Sequence, residues 1–445
     1  MLEENLDINS YDNESPSPKS GLSKNLKLIL YLICLNIFTI ITLTFIIVKL
    51  FIKDINDNKD NEDVIKVLKY DKDFLKPNIT FNATFELVKV KNGMTGLLIN
   101  DPYSFFSHVQ LEVKHGNLIE TIGGLAHFCE HMIFGGSEKY DYYSLFRKLR
   151  GINNVDLDGF TDSTITSYEI TTGFNYNYDL AIDILTDAFW SPSYDENIIK
   201  KEIQPVNSEF NLRINEFSFI SQGIIRQLSN SKTSFNGFTI GNNETLRPNE
   251  SIALSKKLKG FHMVVNRPEN IFFVIYSNMS INVSEKYVKK YFNYKIHEFP
   301  ENEIDVEDKK KLEKNIKDIE NIEIFDENLY QHGFYYKSNI RANILNIYFY
   351  IGEVDYKNFQ FDIIDYYIYL FNSKSLLDFL KKKTEYIFKA EVKPFVKIGK
   401  NNVFYIEFYL TDNGLNNVDE VLVIVYRYIE IMKKKDIKKN IMITL

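Results

Sequence analysis

The sequence predicts an α+β protein preceded by a single transmembrane helix. Three observations lead there. An uncharged apolar run stands near the N-terminus, from Leu28 to Val48. A helical segment bounded by glycine pairs spans Leu125 to Phe134. In the last third, strand-like runs (Asn343 to Ile351, Asn402 to Leu410) alternate with helical ones (Asp362 to Lys383, Asn417 to Lys433). A chain of 445 residues allows two or three domains, and 44% hydrophobic content is enough for real cores.

Taken in chain order, residues 1–26 are polar with Ser-Pro pairs and read as a disordered tail. Residues 27–52 hold the apolar run, 21 residues long. As a helix it reaches about 32 Å, enough to cross the hydrocarbon core. The run is too long for a cleaved signal peptide and lacks an Ala-x-Ala exit. Lysines nearly tie on its two sides. The expected arrangement is a single-pass signal anchor with the bulk of the chain on the non-cytosolic side. Residues 53–75 read as a charged stalk. Residues 76–299 read as one domain, an antiparallel sheet with helices on one face. Residues 300–328 are a charged linker with some helix, and 329–445 begin a second domain.

The densest chemistry is His127-Phe128-Cys129-Glu130-His131. On a helix, residues four apart share a face, so His127 and His131 can reach one ion. Glu130 leans over the same face and can hold a water there. Zinc suits such a set, because hydrolytic zinc keeps one position open for water. Leu125, Phe128 and Met132 make an apolar stripe that seats the helix on a core. Cys129 lies about 200° from His127 and points away from the ion. A catalytic zinc needs a third ligand. Glu202 and Glu209, seven residues apart, share a helical face, with Glu216 continuing it.

Other function classes find little support. The net charge of −7 comes without a basic patch interleaved with aromatics, so no nucleic-acid partner is expected. No Walker-type phosphate loop is present. Of the two cysteines, one lies in the apolar run and one in the motif, so no structural disulfide is expected.

The motif and its surroundings resemble the insulinase/pitrilysin family of zinc metalloproteases, whose motif is the inverted H-x-x-E-H. Gly93 to Pro102 is similar to the family's opening strand, Lys201 to Glu209 to its distal-glutamate helix, and Phe238 to Asn242, Leu246-Arg247-Pro248 and Lys259 to His262 follow in family order. The resemblance implies that His127, His131 and Glu209 bind Zn2+. Glu130 is then the general base, and Glu202 a carboxylate supporting the ligands during catalysis. It also implies peptide substrates. Gly151-Ile152-Asn153-Asn154 resembles a substrate-cleft turn, and Thr161, Thr166 and Tyr168 the strand after it, with Asn154 and Thr161 as substrate-binding residues and Asp158 competing with Asn154. Two departures stand out: the gap from His131 to Glu209 is one residue longer than usual, and Pro205 interrupts the glutamate helix. Full-length relatives carry two further domains that close over the cleft. A second polypeptide, or another copy of this chain, is therefore expected to complete it. The competing expectation is a catalytically weak or inactive homologue acting as a scaffold for another protease half.

Overall fold

The computed structural model describes residues 64–68, 82–142, 155–173, 177–231, 233–293, 295, 297–319, 323–325, 333–335, 342–350, 375–398 and 401–434. The apolar run Leu28 to Val48 and the tail before it lie outside these residues. Among the described residues, no helix is long and apolar enough to cross a membrane. The turn with Asn154 and most of the segment Asp362 to Lys383 also lie outside them.

The first domain is built on seven strands: β1 (Ile65–Val67), β2 (Thr84–Val90), β3 (Thr95–Asn100), β4 (Phe106–Val113), β5 (Val155–Thr161), β6 (Thr166–Gly173) and β7 (Ile271–Ser277). They run in the order β1-β2-β3-β7-β4-β6-β5. Helices α1 (Leu125–Ile133), α2 (Tyr178–Trp190), α3 (Glu196–Arg213), α4 (Phe217–Leu228), α5 (Ser251–Val265) and α6 (Ile281–Tyr287) interrupt or follow the strands. Period-two alternation sorts each strand into two faces. Val109, Leu111 and Val113 of β4 and Phe273 and Ile275 of β7 point to the core. Phe128 and Met132 of α1, Ile199 and Ile203 of α3, and Leu258 and Phe261 of α5 meet them there. Burying this apolar surface drives the layer together.

Three expectations change. The sheet is not wholly antiparallel, because β3 and β7 pair in parallel. Residues 101–270, which hold β4, β5, β6 and α1 to α5, separate them in the chain, and a parallel pair requires such a long connection. Within the supposed stalk, Ile65–Val67 pairs with Val88–Val90 as the first edge strand, burying Ile65. The supposed linker holds α7 (Val306–Asp318), which packs on α5. Lys257 Nζ lies 2.7 Å from Asp308 and 3.1 Å from Asp305, while Leu312 is buried beneath them. A charged composition concealed one apolar stripe.

The second domain shows β8 (Asn343–Tyr350), β9 (Ile387–Ile398) and β10 (Asn401–Leu410) in the order β8-β10-β9, with α8 (Val418–Lys434) following. Ile406, Phe408, Val421 and Val425 form its core. A smaller cluster of Leu118, Phe235, Ile324 and Val403 joins the two domains. Ser221 on α4 adds hydrogen bonds to Tyr348 (3.0 Å) and Asn346 (3.1 Å).

Candidate active site

Helix α1 starts where the chain cannot be ordinary. Its N-cap is Gly124, in the left-handed region at φ 87°, with no side chain to cap the first amides. A Cβ there would lie 2.2 Å from Cα of Gly241, itself at φ 86°. Only glycine fits this contact at both positions. The missing cap comes from Glu120, whose carboxylate accepts from the amides of Gly124 (3.0 Å) and Ala126 (3.1 Å). Burial pushes Glu120 up to about 8, opposed by those amides and by the charge of Arg226. Arg226, on α4, donates to Ser163 Oγ at 2.8 Å and to the Phe235 carbonyl at 3.2 Å.

The glycine contact brings the Ile240 carbonyl to His127. Nδ1 of His127 lies 2.7 Å from that oxygen, so it donates there and leaves Nε2 free as a ligand atom. Nε2 is 3.3 Å from Glu209 Oε2. Nε2 of His131 is 3.8 Å from the same oxygen. One ligand atom from each of the three residues lies within 4.8 Å of the others. Zinc with bonds near 2.0–2.1 Å places tetrahedral ligands about 3.3–3.4 Å apart. The donor set therefore fits zinc in chemistry, with one pair at that spacing and the other, at 3.8 Å, slightly wider. The two imidazoles hold Glu209 well below the usual carboxylate range, keeping it an anion. Arg213 Nε, 2.9 Å from its other oxygen, does the same.

Glu130 is buried, and burial raises its pKa; His127, Thr161 and His131 oppose the rise. Thr161 donates its hydroxyl to Glu130 Oε2 at 2.7 Å. A Cβ on Gly159 would come within 3.1 Å of Glu130 Oε1. The Thr161 hydroxyl thus holds the base, a contact in addition to the substrate role that the resemblance implies. The expected single strand is instead two: Thr161 ends β5, while Thr166 and Tyr168 belong to β6 across a hairpin.

Glu202 and Glu209 do share α3, which runs unbroken through Pro205. Proline costs about 3 kcal/mol in a helix interior. Burial of Ile199, Ile203 and Val206 on the core offsets it. Glu202 lies 3.9 Å from His131 Nδ1 and accepts from the Tyr142 hydroxyl at 3.0 Å. It thus faces the ring nitrogen that His131 does not turn toward Glu209. Glu216 does not continue the row, because α3 ends at Arg213 and Glu216 stands at the start of α4. Neither Glu120 nor Gly159 was singled out from sequence. A glutamate four residues before the helix-opening Gly124 is the signal for the first; the Gly in Asp158-Gly159-Phe160 is the hint of the second.

Cys129 points into the core, with Sγ 3.3 Å from the Tyr194 hydroxyl, and burial pushes its thiol up to about 12. The thiolate that alkylating reagents need is therefore scarce. Iodoacetamide should leave Cys129 unmodified in the folded protein and label it fully in denaturant, as peptide mass spectrometry would show. Prompt labelling without denaturant would mean that α1 opens.

The site would make metal binding pH-dependent. Burial opposes a charge on His131, but Glu202 and Glu209 outweigh it and raise the pKa to about 9. The bound proton stabilises the fold below the ordinary value of about 6.5, and this contribution is lost as pH rises through about 9. A zinc ion needs the lone pair that this proton occupies. Zinc uptake between about pH 7 and 8.5 should release close to one proton per ion, and zinc affinity should fall as pH drops. Calorimetry in buffers of different ionisation enthalpy measures the release. Uptake without protons would exclude a protonated His131.

Residues 96–230 match the model of the insulinase family (peptidase family M16), and residues 254–442 match that of the peptidase M16 inactive domain. Human insulin-degrading enzyme is 29% identical over 265 residues, covering 57% of this chain and 26% of the relative. Protease 3 of Escherichia coli K12 is 26% identical over 373 residues, covering 81% of this chain and 36% of the relative. The crystal structure of pitrilysin superposes with a TM-score of 0.70 at 22% identity, over 84% of this chain and 38% of that one. The chain thus spans between about a quarter and two fifths of the length of these relatives. Two family models in chain order, with His127, Glu130, His131 and Glu209 assembled in one site, lead to one conclusion: the chain belongs to the insulinase/pitrilysin family of peptidases.

Proposed function

We propose that this protein is a zinc metalloendopeptidase that cleaves peptides or unfolded polypeptides. The observation that carries the proposal is the three-donor group of His127, His131 and Glu209 beside a buried Glu130 whose carboxylate is held by Thr161. A zinc ion at those donors supplies Lewis acidity and makes water a nucleophile near neutral pH. Glu130 accepts the proton of the attacking water and returns it to the leaving amine. Its raised proton affinity suits both tasks, and Thr161 fixes the oxygen that is not receiving the proton. Among the described residues β5 pairs only with β6, so its other edge can accept a peptide as an added strand.

Membrane anchorage through residues 28–48, with the catalytic domain on the non-cytosolic side, is part of the proposal and rests on the apolar run alone. A second polypeptide or another copy of this chain closing the cleft is also part of it. The alternative is an inactive scaffold. The match of residues 254–442 to an inactive-domain model favours it, and the intact zinc site opposes it. A direct test is cleavage of an unstructured peptide by the purified protein. Chelation should abolish cleavage and added zinc should restore it. A zinc-loaded, folded protein that cuts no peptide, alone or with a partner half, would favour the scaffold.

A further inference from the structure

One face of the seven-stranded sheet lies opposite α1 and its Glu130. There β5 carries Asp156 and Asp158, both exposed. The register sets Asp158 directly opposite Glu169 and Asp156 opposite Thr171 on β6. One strand further in, Glu169 faces Gln110 and Thr171 faces His108 on β4. Like charges directly opposite one another destabilise a sheet. Among the described residues no cation offsets this pair. Among the described residues, Asp156 and Asp158 have no ion-pair partner, and Glu169 meets only His108 Nε2, 3.9 Å away. His108 is itself nine-tenths buried, with 9% of its side chain exposed. Its Nδ1 bonds to Thr171 Oγ1 at 2.8 Å, while Nε2 makes no hydrogen bond and faces the acidic row. Burial pushes His108 down to about 4, so it is neutral near pH 7. Burial, with Asp158 and Asp156, pushes Glu169 up to about 6.

The same strand reaches the catalytic group from its other face, through Gly159 and Thr161. A chain added to the edge of β5 that is unpaired among the described residues presents alternate side chains to the two faces. One set lies on the side of Glu130. The other lies beside Asp156 and Asp158, at the cross-strand spacing of about 4.5–5.5 Å.

We propose that Asp156, Asp158 and Glu169, backed by His108, form a subsite for cationic side chains. The protein then selects peptides with Lys or Arg at alternate positions on the face turned away from Glu130. The occupant, a peptide strand on β5, rests on the peptidase reading above. A local repulsion kept on the strand beside the base, with no cation against it among the described residues, is what a cationic partner would relieve.

The test uses labelled unstructured peptides in which a Lys pair, or a Glu pair, two residues apart is moved along the sequence. Anisotropy reads binding to the zinc-loaded full chain, and hydrolysis is followed in parallel. At the best position the Lys peptide should bind about tenfold more tightly than its Glu counterpart. The ratio should shrink as salt rises from about 50 to 500 mM. In the Asp156→Asn/Asp158→Asn double variant it should collapse toward one. A ratio is read, so loss of folded protein cancels. A ratio near one in the unaltered protein, one that survives the double substitution, or no binding of any peptide would overturn the subsite. Lys-selective binding without hydrolysis would instead overturn the peptidase reading and keep the subsite. Hydrolysis indifferent to charge would do the reverse.

Discussion

Glu130→Gln should leave zinc bound and lower the rate of peptide hydrolysis by about 10²–10⁴-fold or more, the range for loss of a general base. Glutamine keeps the size of the side chain, so the close fit against Gly159 survives. It also keeps an oxygen that can accept from Thr161. What it loses is the capacity to take a proton. Metal content of the purified variant and single-turnover hydrolysis are the two measurements. Loss of zinc in this variant would make Glu130 a ligand, and the mechanism would fail.

The second large effect separates the two glutamates of α3. Glu209→Gln should weaken zinc binding by well over the roughly 10–100-fold typical of a supporting carboxylate. Glu209 is the residue shared by both imidazoles, at 3.3 and 3.8 Å. Glu202→Gln should cost about 10–100-fold in affinity or rate, since among the described residues it meets His131 Nδ1 and the Tyr142 hydroxyl rather than the ligand atoms. Neither change should unfold the domain: both side chains are partly exposed at the site, while α3 is seated by Ile199, Ile203 and Val206. Circular dichroism checks that point and competition with a chelating dye reads the affinity. If Glu202→Gln strips the zinc and Glu209→Gln does not, the two roles are exchanged.

By itself, the sequence determined what is local and periodic. His127, Glu130 and His131 are spaced by one helix and bounded by glycines, so their shared face follows from helical geometry alone. Glu202 and Glu209 are two turns apart on another helix, and their common face was legible for the same reason. The strands β8 and β10 were legible from their apolar runs. Tertiary structure decided everything that joins distant segments. It brought the Ile240 carbonyl to His127 through the contact of Gly124 with Gly241, and the Thr161 hydroxyl to Glu130. It turned part of a supposed stalk into an edge strand and a supposed linker into a packed helix. It also carried α3 straight through Pro205, because burial of three apolar side chains outweighs one missing amide. Spacing along a chain fixes neighbours within one helix or strand. Neighbours across helices and strands depend on which apolar faces find each other, and no short motif records that.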